Sequence, residues 1–233
     1  MNYSVVVLAA GQGKRMQAGK NKQFIMLEDD PVIIHTLRVF ENDSSCDEMI
    51  VVVNENEVQE MKQLFQTYKL KKLTNVVVGG AERQDSVYEG LKVIDQPSDR
   101  VVLIHDGARP FVQERDLHRL VDRVDAEHGA VLAVQVTDTV KKVNEELIQE
   151  TIPRDRLWAV QTPQAFPFAL IKTAYAHAKE ANVYGTDDAS LVERLGKHVR
   201  IVEGSRENMK LTTPYDIKLA TILLELRAKE AGQ

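Results

Sequence analysis

The sequence predicts an α/β fold, a doubly wound sandwich in which helices cover both faces of a mostly parallel sheet. Short runs rich in valine and isoleucine alternate with amphipathic segments of helical period. Most of these runs are apolar without interruption, which is typical of strands buried on both faces. The 233 residues, 43% hydrophobic and 28% charged, suit one core. We therefore expect a single domain over residues 1–233.

The predicted elements alternate from the N-terminus onward. The strands of the main sheet are Tyr3–Ala10, Met49–Val53, Asn75–Val78, Arg100–Ile104, Ala130–Val136, Leu157–Gln161 and His198–Glu203. The helices are Pro31–Phe40, Glu55–Tyr68, Ser86–Ile94, Glu114–His128, Pro167–Glu180, Asp187–Leu195 and Pro214–Lys229. We expect Asp30 to cap the first helix and Pro31 to occupy its first position, where proline loses no hydrogen bond.

This alternation stops at Asp138. In Thr139–Thr151 the valines and isoleucines alternate with charged residues, which predicts two short strands around an Asn144-Glu145 turn. We expect a β-arm at about residues 138–155 that projects from the body. An isolated hairpin is marginally stable in water, so a partner subunit is its expected support and the chain is expected to be a homodimer.

Charge and cysteine content exclude several classes of protein. A formal net charge of −5 argues against non-specific nucleic-acid binding, which needs a basic face. The single cysteine, Cys46, allows neither an internal disulfide nor a zinc site built on cysteine pairs. The first cations follow the N-terminal apolar run, the reverse of a signal peptide, and that run is too short to cross a bilayer. We expect a cytoplasmic protein that does not bind a membrane.

The segment Val5–Met26 carries the clearest functional signal. An apolar strand leads into a glycine-containing loop, and no acidic residue occurs before Glu28. The cations of this segment are Lys14, Arg15, Lys20 and Lys22. Free backbone N–H groups together with cations are what a di- or triphosphate needs. The alternative is a flexible, solvated basic loop.

The same loop departs from the common phosphate-binding motifs. Met16 replaces the third glycine of the dinucleotide fingerprint, and Lys14 follows Gly13 without the longer loop of a P-loop. Added charge also argues against a nicotinamide oxidoreductase, whose loop is nearly uncharged. The expected nucleotide-binding residues of the loop are Gly11, Gly13 and Lys14.

A second candidate site, His105 to Pro110, follows the apolar run VVLI. Ligands of open α/β sheets bind at the carboxyl ends of strands, so Asp106 is a candidate ligand for Mg²⁺ beside phosphate oxygens. Arg109 can hold a second anion with its planar fork. The alternative is a loop ion pair between Asp106 and Arg109, and we expect His105 to be structural.

Further loops supply small residues, hydroxyls and cations. Gly79 and Gly80 permit close approach of the backbone to a flat base, and Ser86 is either a helix cap or a ligand contact. Cations and hydroxyls of later loops define, with Arg109, a candidate second anion site. They are Arg154, Thr162, Thr186 and Lys210.

Seven motifs, in order and spacing, resemble the 2-C-methyl-D-erythritol 4-phosphate cytidylyltransferase family over nearly the whole chain. They are LAAGQGKRM with Lys22-Gln23-Phe24, GGAERQDSV, HDGARPF, TDTVKK, QTPQAF, GTDDAS and NMKLTTP. The resemblance implies a Rossmann-like nucleotidyltransferase sandwich whose β-arm clasps a second subunit. It implies that CTP and methylerythritol phosphate are joined with release of pyrophosphate, in non-mevalonate isoprenoid synthesis.

The resemblance also implies roles for individual residues. Arg15 and Lys22 would stabilise the pentavalent transition state at the α-phosphate of CTP, and Asp106 would hold Mg²⁺. The residues implied to contact cytosine and ribose are Ala9, Ala10, Gly80 and Ser86. Those implied to bind methylerythritol phosphate are Arg109, Thr162, Thr186 and Lys210, with Thr139 and Arg154 from the partner's arm.

One departure and two alternatives accompany this resemblance. Ala81 stands where several relatives carry aspartate, so a side-chain contact to the base would be lost while backbone recognition remains. A ribitol 5-phosphate cytidylyltransferase of teichoic-acid synthesis shares the fold, loop and arm, although HDGARPF and GGAERQDSV favour the methylerythritol enzyme. A regulator that binds CTP without turnover is the more distant alternative.

Overall fold

The computed structural model describes residues 1–11, 21–95 and 100–231. Its strands are β1 Tyr3–Leu8, β2 Met26–Leu27, β3 Asp30–Pro31, β4 Cys46–Val53, β5 Leu73–Val78, β6 Val101–Asp106, β7 His128–Gln135, β8 Val140–Asn144, β9 Leu147–Ile152, β10 Trp158–Pro167 and β11 His198–Glu203. Its α-helices are α1 Val32–Asn42, α2 Val58–Thr67, α3 Arg83–Lys92, α4 Glu114–Val121, α5 Phe168–Glu180, α6 Asp188–Arg194 and α7 Pro214–Ala231.

The central sheet has seven strands in the order β11-β7-β10-β6-β1-β4-β5. Strands β6, β1, β4 and β5 run parallel to one another, and β7 runs parallel to β11. Strand β10 runs antiparallel to both β6 and β7. The predicted α/β fold with a mostly parallel sheet is therefore confirmed.

Two hydrophobic layers, one on each face of the sheet, form most of the core. Val5 and Val7 of β1 belong to a cluster that includes Leu37 of α1. Val6, which points to the opposite face, belongs to a second cluster with Val87 of α3. Alternate residues of one strand are thus buried on both faces, which explains the continuously apolar sequence of β1.

The start of the first helix differs from the prediction. Helix α1 begins at Val32, and Pro31 is its N-cap in an extended conformation rather than its first helical residue. Asp30 and Pro31 pair instead with β2 in a small hairpin. The Val32 amide donates to the Ile25 carbonyl at 2.9 Å, which closes this hairpin.

The helix predicted over Glu114–His128 is shorter than expected, since α4 ends at Val121. The Asp125 carboxylate accepts hydrogen bonds from the amides of Glu127 and His128. A side chain that binds neighbouring amides in this way competes with the helix and favours a turn. Helix α2 is also shortened, because residues Glu55–Glu57 form a 3-10 turn.

Strand β10 continues well beyond its predicted end at Gln161. It reaches Pro167, and Gln164–Pro167 pairs with β6 in the middle of the sheet. Its register shifts between Val160 and Gln164, so the QTPQ motif is an irregular part of a strand and not a loop after it.

The predicted hairpin forms as a separate two-stranded sheet of β8 and β9. Its turn lies at Glu145 and Glu146, one residue later than predicted, and both have positive φ (46° and 69°). Two positive φ values in sequence are typical of a tight hairpin turn. The side chains of Val143, Leu147 and Ile148 are exposed on it.

The topology brings four loops to one edge of the sheet. Strands β1, β4, β5 and β6 are parallel, so the segments after Leu8, Val53, Val78 and Asp106 lie at the same edge. Among the described residues, no helix combines the length and apolar character needed to span a membrane.

Candidate active site

A cleft of about 470 Å³ lies at this edge of the sheet. The loops after β1, β4, β5 and β6 contribute to its walls, together with residues from two more distant segments. The predicted site residues that line it are Ala10, Gly11, Lys22, Gly80, Ser86, Asp106 and Lys210. Ala9 lies directly behind, fully buried, and its amide donates to the Val52 carbonyl at 2.7 Å.

The loop after β5 is packed so closely that it requires glycine. A Cβ atom at Gly80 would lie 2.3 Å from the Cβ of Asp85, and one at Gly79 would lie 2.8 Å from the Cβ of Ala10. The small side chains of the two loops therefore let their backbones meet at the wall of the cleft. This arrangement suits close approach to a planar ligand group.

Ser86 holds the same loop and is not a helix cap. Its hydroxyl accepts a hydrogen bond from the Gly80 amide at 3.2 Å and donates one to the Glu82 carbonyl at 3.1 Å. The N-cap position belongs to Glu82, whose amide donates to the Asp85 carboxylate at 3.1 Å. Of the two predicted roles, capping is therefore wrong, and a ligand contact stays a prediction.

Asp106 ends strand β6 among three cations. Its Oδ2 atom lies 2.7 Å from Lys210 Nζ and 3.7 Å from Arg109 Nε, and its Oδ1 atom lies 3.5 Å from Arg83 Nε. Burial by itself would raise the pKa of Asp106, but the cations, Lys210 foremost, hold that pKa well below its ordinary value. The carboxylate is therefore ionised and faces an excess of positive charge.

The ion pair predicted between Asp106 and Arg109 is present but is the longest of these contacts. The guanidinium of Arg109 also donates to the Asn208 carbonyl at 2.7 Å, and burial is the main cause that lowers its pKa. Asn208 in turn donates to the Thr162 carbonyl at 2.9 Å. Arg109 is thus fixed between the end of β6 and the loop that carries Asn208.

Thr162 supports Asp106 from the neighbouring strand β10. Its hydroxyl accepts a hydrogen bond from the Asp106 amide at 3.0 Å and lies 3.3 Å from His105 Nδ1. The other ring nitrogen of His105 lies 3.1 Å from the Arg109 carbonyl. His105 is fully buried and hydrogen-bonded at both nitrogens, which agrees with the structural role predicted for it.

Acid is expected to destabilise the fold through His105. Burial lowers the pKa of His105 to about 4, below its ordinary value of 6.5. The unfolded chain therefore takes up this proton first, and the stability present above pH 6.5 is lost as the pH falls toward 4. Between pH 7 and 4.5, unfolding by urea should show that His105→Gln loses about 2–3 kcal/mol less stability than the parent protein.

The matched control is His198→Gln, which changes an exposed histidine and should keep the parent's pH dependence. Equal pH dependence in the parent and in His105→Gln would contradict the burial of a neutral imidazole at this position.

Lys22 lies in the same cleft as Asp106. It belongs to a short 3-10 helix, Lys22–Phe24, that Asn21 caps by accepting from the Gln23 amide. The Lys22 ammonium donates to the Leu211 carbonyl at 3.4 Å, so it points toward the segment that carries Lys210. Two of the predicted cations, Lys22 and Lys210, therefore line one cleft with Asp106.

Some predicted residues do not line this cleft. Thr139, Arg154 and Thr186 are exposed and are absent from its described walls. Arg154 donates to the Thr137 carbonyl at the base of the hairpin. Gly13, Lys14 and Arg15 lie outside the residues that the structure describes.

Arg83 is a cleft residue that the sequence analysis did not select. It lies in the GGAERQDSV motif, where a cation three positions after Gly80 opens helix α3. The sequence signal that could have identified Arg83 is a cation that closely follows two glycines at the end of a predicted strand. Its bidentate partner, Asp188, is 105 residues away, and no local pattern could have identified it.

The donor set of the cleft fits a magnesium ion. Among the described residues, one cluster of three side chains could hold a metal ion, namely Asp43, Glu114 and His118. None of the three lines the cleft. Asp106 offers one ionised carboxylate, and phosphate oxygens and water would supply the other ligands of a bound ion. This is the usual arrangement for Mg²⁺, which takes one or two carboxylates beside substrate phosphates.

Comparison with known proteins extends over nearly the whole chain. The sequence profile of the family described as 2-C-methyl-D-erythritol 4-phosphate cytidylyltransferase matches residues 3–226. The chain is 54% identical over 224 residues to the protein of that name from Halalkalibacterium halodurans, covering 96% of this chain and 97% of the relative. It is 52% identical over 230 residues to that of Geobacillus thermodenitrificans, covering 99% and 100%.

A solved structure agrees with these relatives. The crystal structure of 4-diphosphocytidyl-2C-methyl-D-erythritol synthase from Anaerococcus prevotii is similar, with a TM-score of 0.84 and 30% identity, and 96% of each chain is covered. The resemblance inferred from the motifs is therefore confirmed, and the ribitol 5-phosphate alternative is not favoured. This chain belongs to the 2-C-methyl-D-erythritol 4-phosphate cytidylyltransferase family.

Proposed function

We propose that this enzyme joins CTP and 2-C-methyl-D-erythritol 4-phosphate into 4-diphosphocytidyl-2-C-methyl-D-erythritol and pyrophosphate, for isoprenoid precursor synthesis in the cytoplasm. The observation that carries the proposal is the ionised Asp106 carboxylate, which shares one cleft with Lys22 and Lys210. Both substrates are anions, and a cleft with more cations than carboxylates can hold them together.

The reaction asks the protein for positioning and charge, with little covalent chemistry. The substrate phosphate attacks the α-phosphorus of CTP in line, and pyrophosphate leaves. Negative charge on the phosphoryl group is greatest at the transition state, so fixed cations stabilise that state more than the ground state. In this proposal Lys22 and Arg15 serve that purpose, and Lys210 and Arg109 hold the attacking phosphate.

We propose Mg²⁺ as the cofactor, with Asp106 as its protein ligand. When bound, the ion would neutralise part of the negative charge of the phosphates. The proposal is supported by the ionised state of Asp106 and by the fit of one carboxylate to a phosphate-bound magnesium. The Asp106 amide donates a hydrogen bond to the Thr162 hydroxyl, which fixes the backbone of Asp106 at the end of β6.

We further propose a homodimer in which the β8–β9 hairpin of one subunit reaches the cleft of the other. Thr139 and Arg154 flank the hairpin, are exposed and do not line the cleft of their own chain, which supports a role across the interface. The exposed apolar side chains of Val143 and Leu147 favour a protein partner for the hairpin. Sedimentation velocity at micromolar concentration should give a dimer, and a monomer would contradict the arrangement.

Arg154→Ala is expected to raise the KM for methylerythritol phosphate much more than the KM for CTP. The physical reason is that Arg154 is assigned to the phosphate of the second substrate and not to the nucleotide. Steady-state kinetics with each substrate varied in turn measures both constants. Arg156→Ala, which removes an exposed arginine two residues away, is the matched control; equal increases in both KM values for Arg154→Ala would refute the assignment.

Phosphorus NMR tests the proposed chemistry directly. The protein, CTP, methylerythritol phosphate and Mg²⁺ should give the two coupled resonances of an unsymmetrical diphosphate diester, together with pyrophosphate. Production of CMP and pyrophosphate without the diester would show hydrolysis of the nucleotide and would overturn the transfer reaction.

A further inference from the structure

We propose that Arg83 is an additional ligand for the phosphates of the nucleotide, and that the buried Asp188 is the positioning residue that holds it. Arg83 lies at the start of α3, and Asp188 lies at the start of α6. The inference rests on the proposed function, because the anion concerned is CTP. It adds a cation and a positioning residue to the site.

The contact between the two residues is bidentate. Arg83 Nη1 lies 2.9 Å from Asp188 Oδ1, and Arg83 Nη2 lies 2.8 Å from Asp188 Oδ2. Such a fork fixes the plane of the guanidinium as well as its position. Arg83 therefore enters the cleft in one orientation.

Asp188 is itself held rigidly. Its side chain is fully buried, and the Tyr175 hydroxyl of α5 donates to its Oδ1 atom. Gln164 of β10 accepts from the Ala189 amide at 2.9 Å and donates to the Asp187 carboxylate at 2.8 Å, which anchors the first turn of α6. The support for Arg83 thus comes from the core and not from solvent-exposed side chains.

Arg83 retains donors for a ligand. Its contacts with Asp188 use one N–H of each terminal nitrogen, and a guanidinium carries further N–H groups. Its Nε atom lies 3.5 Å from Asp106 Oδ1, which is an ion pair but longer than a good hydrogen bond. A third of the side chain (33%) is exposed, and it lines the cleft.

A purely structural ion pair would not need this exposed face. An arginine that only joined α3 to α6 would be served by Asp188 alone, whereas Arg83 also lies beside the carboxylate of the candidate metal site. Burial acts to lower the pKa of Arg83, but Asp188 and Asp106 outweigh it and raise that pKa, so the guanidinium remains charged. A fixed charge at this place is suited to a triphosphate.

Nucleotide binding to full-length variants tests the inference without depending on turnover. The dissociation constants of CTP and of cytidine are measured by titration calorimetry or competition, in the presence of Mg²⁺. Arg83→Gln should weaken CTP binding about tenfold or more while leaving cytidine binding within about twofold, because only CTP carries phosphates. Arg200→Gln, which removes an arginine paired to Asp125 elsewhere, should leave both unchanged.

A double-mutant cycle tests the role of Asp188. If Asp188 acts through Arg83, Asp188→Asn weakens CTP binding in the parent protein but adds no further loss in the Arg83→Gln variant. Tyr175→Phe removes the hydroxyl that supports Asp188 and should weaken CTP binding by a smaller factor; it provides the test if Asp188→Asn does not fold.

Equal losses of CTP and cytidine affinity in Arg83→Gln would overturn the inference, as would unchanged CTP binding or additive effects of Arg83→Gln and Asp188→Asn. A selective loss of CTP affinity in Arg83→Gln, with no further loss when Asp188→Asn is added, would support the inference. Turnover of the parent protein with methylerythritol phosphate is measured alongside. Absence of turnover in the parent protein would count against the proposed function. Normal turnover of the parent together with unchanged CTP binding in Arg83→Gln would overturn only the role of Arg83.

Discussion

Replacement of Lys22 by alanine is expected to lower kcat roughly 10²–10³-fold, which corresponds to about 3–4 kcal/mol of lost transition-state stabilisation. Lys22 lies in the cleft with Asp106 and Lys210, on a short helix that Asn21 caps. A fixed cation near the reacting phosphorus stabilises the charge that grows during transfer. Steady-state kinetics with saturating CTP, Mg²⁺ and methylerythritol phosphate measures this effect.

The fold of the Lys22→Ala protein should remain near native, because the hydrogen bond from the Lys22 ammonium to the Leu211 carbonyl is long, at 3.4 Å. Its free energy of unfolding should change by less than about 1 kcal/mol. Lys62→Ala, which removes an exposed lysine of α2, is the control and should keep the parent kcat. Turnover of Lys22→Ala within a few-fold of the parent would refute the role of Lys22.

Asp106→Asn is expected to lower kcat by a similar factor, roughly 10²–10³. Asparagine keeps the shape of the side chain but removes the negative charge that pairs with Lys210 at 2.7 Å and that is proposed to hold Mg²⁺. Lys210 and Arg109 then lack their carboxylate partner, and the neighbouring cations repel one another. The Mg²⁺ concentration required for half-maximal CTP binding should rise as well, which gives a readout independent of turnover.

The control for this variant is Asp125→Asn, since Asp125 also pairs with an arginine, Arg200, but is remote from the described walls of the cleft. Asp125→Asn should leave kcat and the Mg²⁺ requirement unchanged. A kcat of Asp106→Asn close to that of the parent, in a protein that unfolds at the parent's urea concentration, would refute the assignment of Asp106.

The fold and the main loops of the site were predictable because they depend on local patterns. The apolar run of β1 followed by Ala9, Ala10 and Gly11 places small residues at the end of a buried strand, and the structure puts Ala10 and Gly11 in the cleft wall. Asp106 follows an apolar run in the same way and ends β6. In parallel sheets such ends converge, so the sequence could predict their proximity.

The errors arose where contacts between distant residues decide the structure. Strand β10 continues past Gln161 because Gln164–Pro167 pairs with β6, and no local signal announces that pairing. The Arg83–Asp188 pair joins residues 105 positions apart, so only the folded chain shows why that arginine enters the cleft. The predicted helix does not continue to His128, because the Asp125 carboxylate binds two amides of a turn in that segment, a contact that competes with helix formation.

The most direct test of the account is pyrophosphate release by the purified protein with CTP and Mg²⁺, using methylerythritol 4-phosphate and ribitol 5-phosphate in parallel. We predict sustained release with methylerythritol phosphate and none above background with ribitol phosphate. Release with ribitol phosphate alone would keep the chemistry but contradict the proposed substrate. No release with either polyol phosphate would contradict the account as a whole.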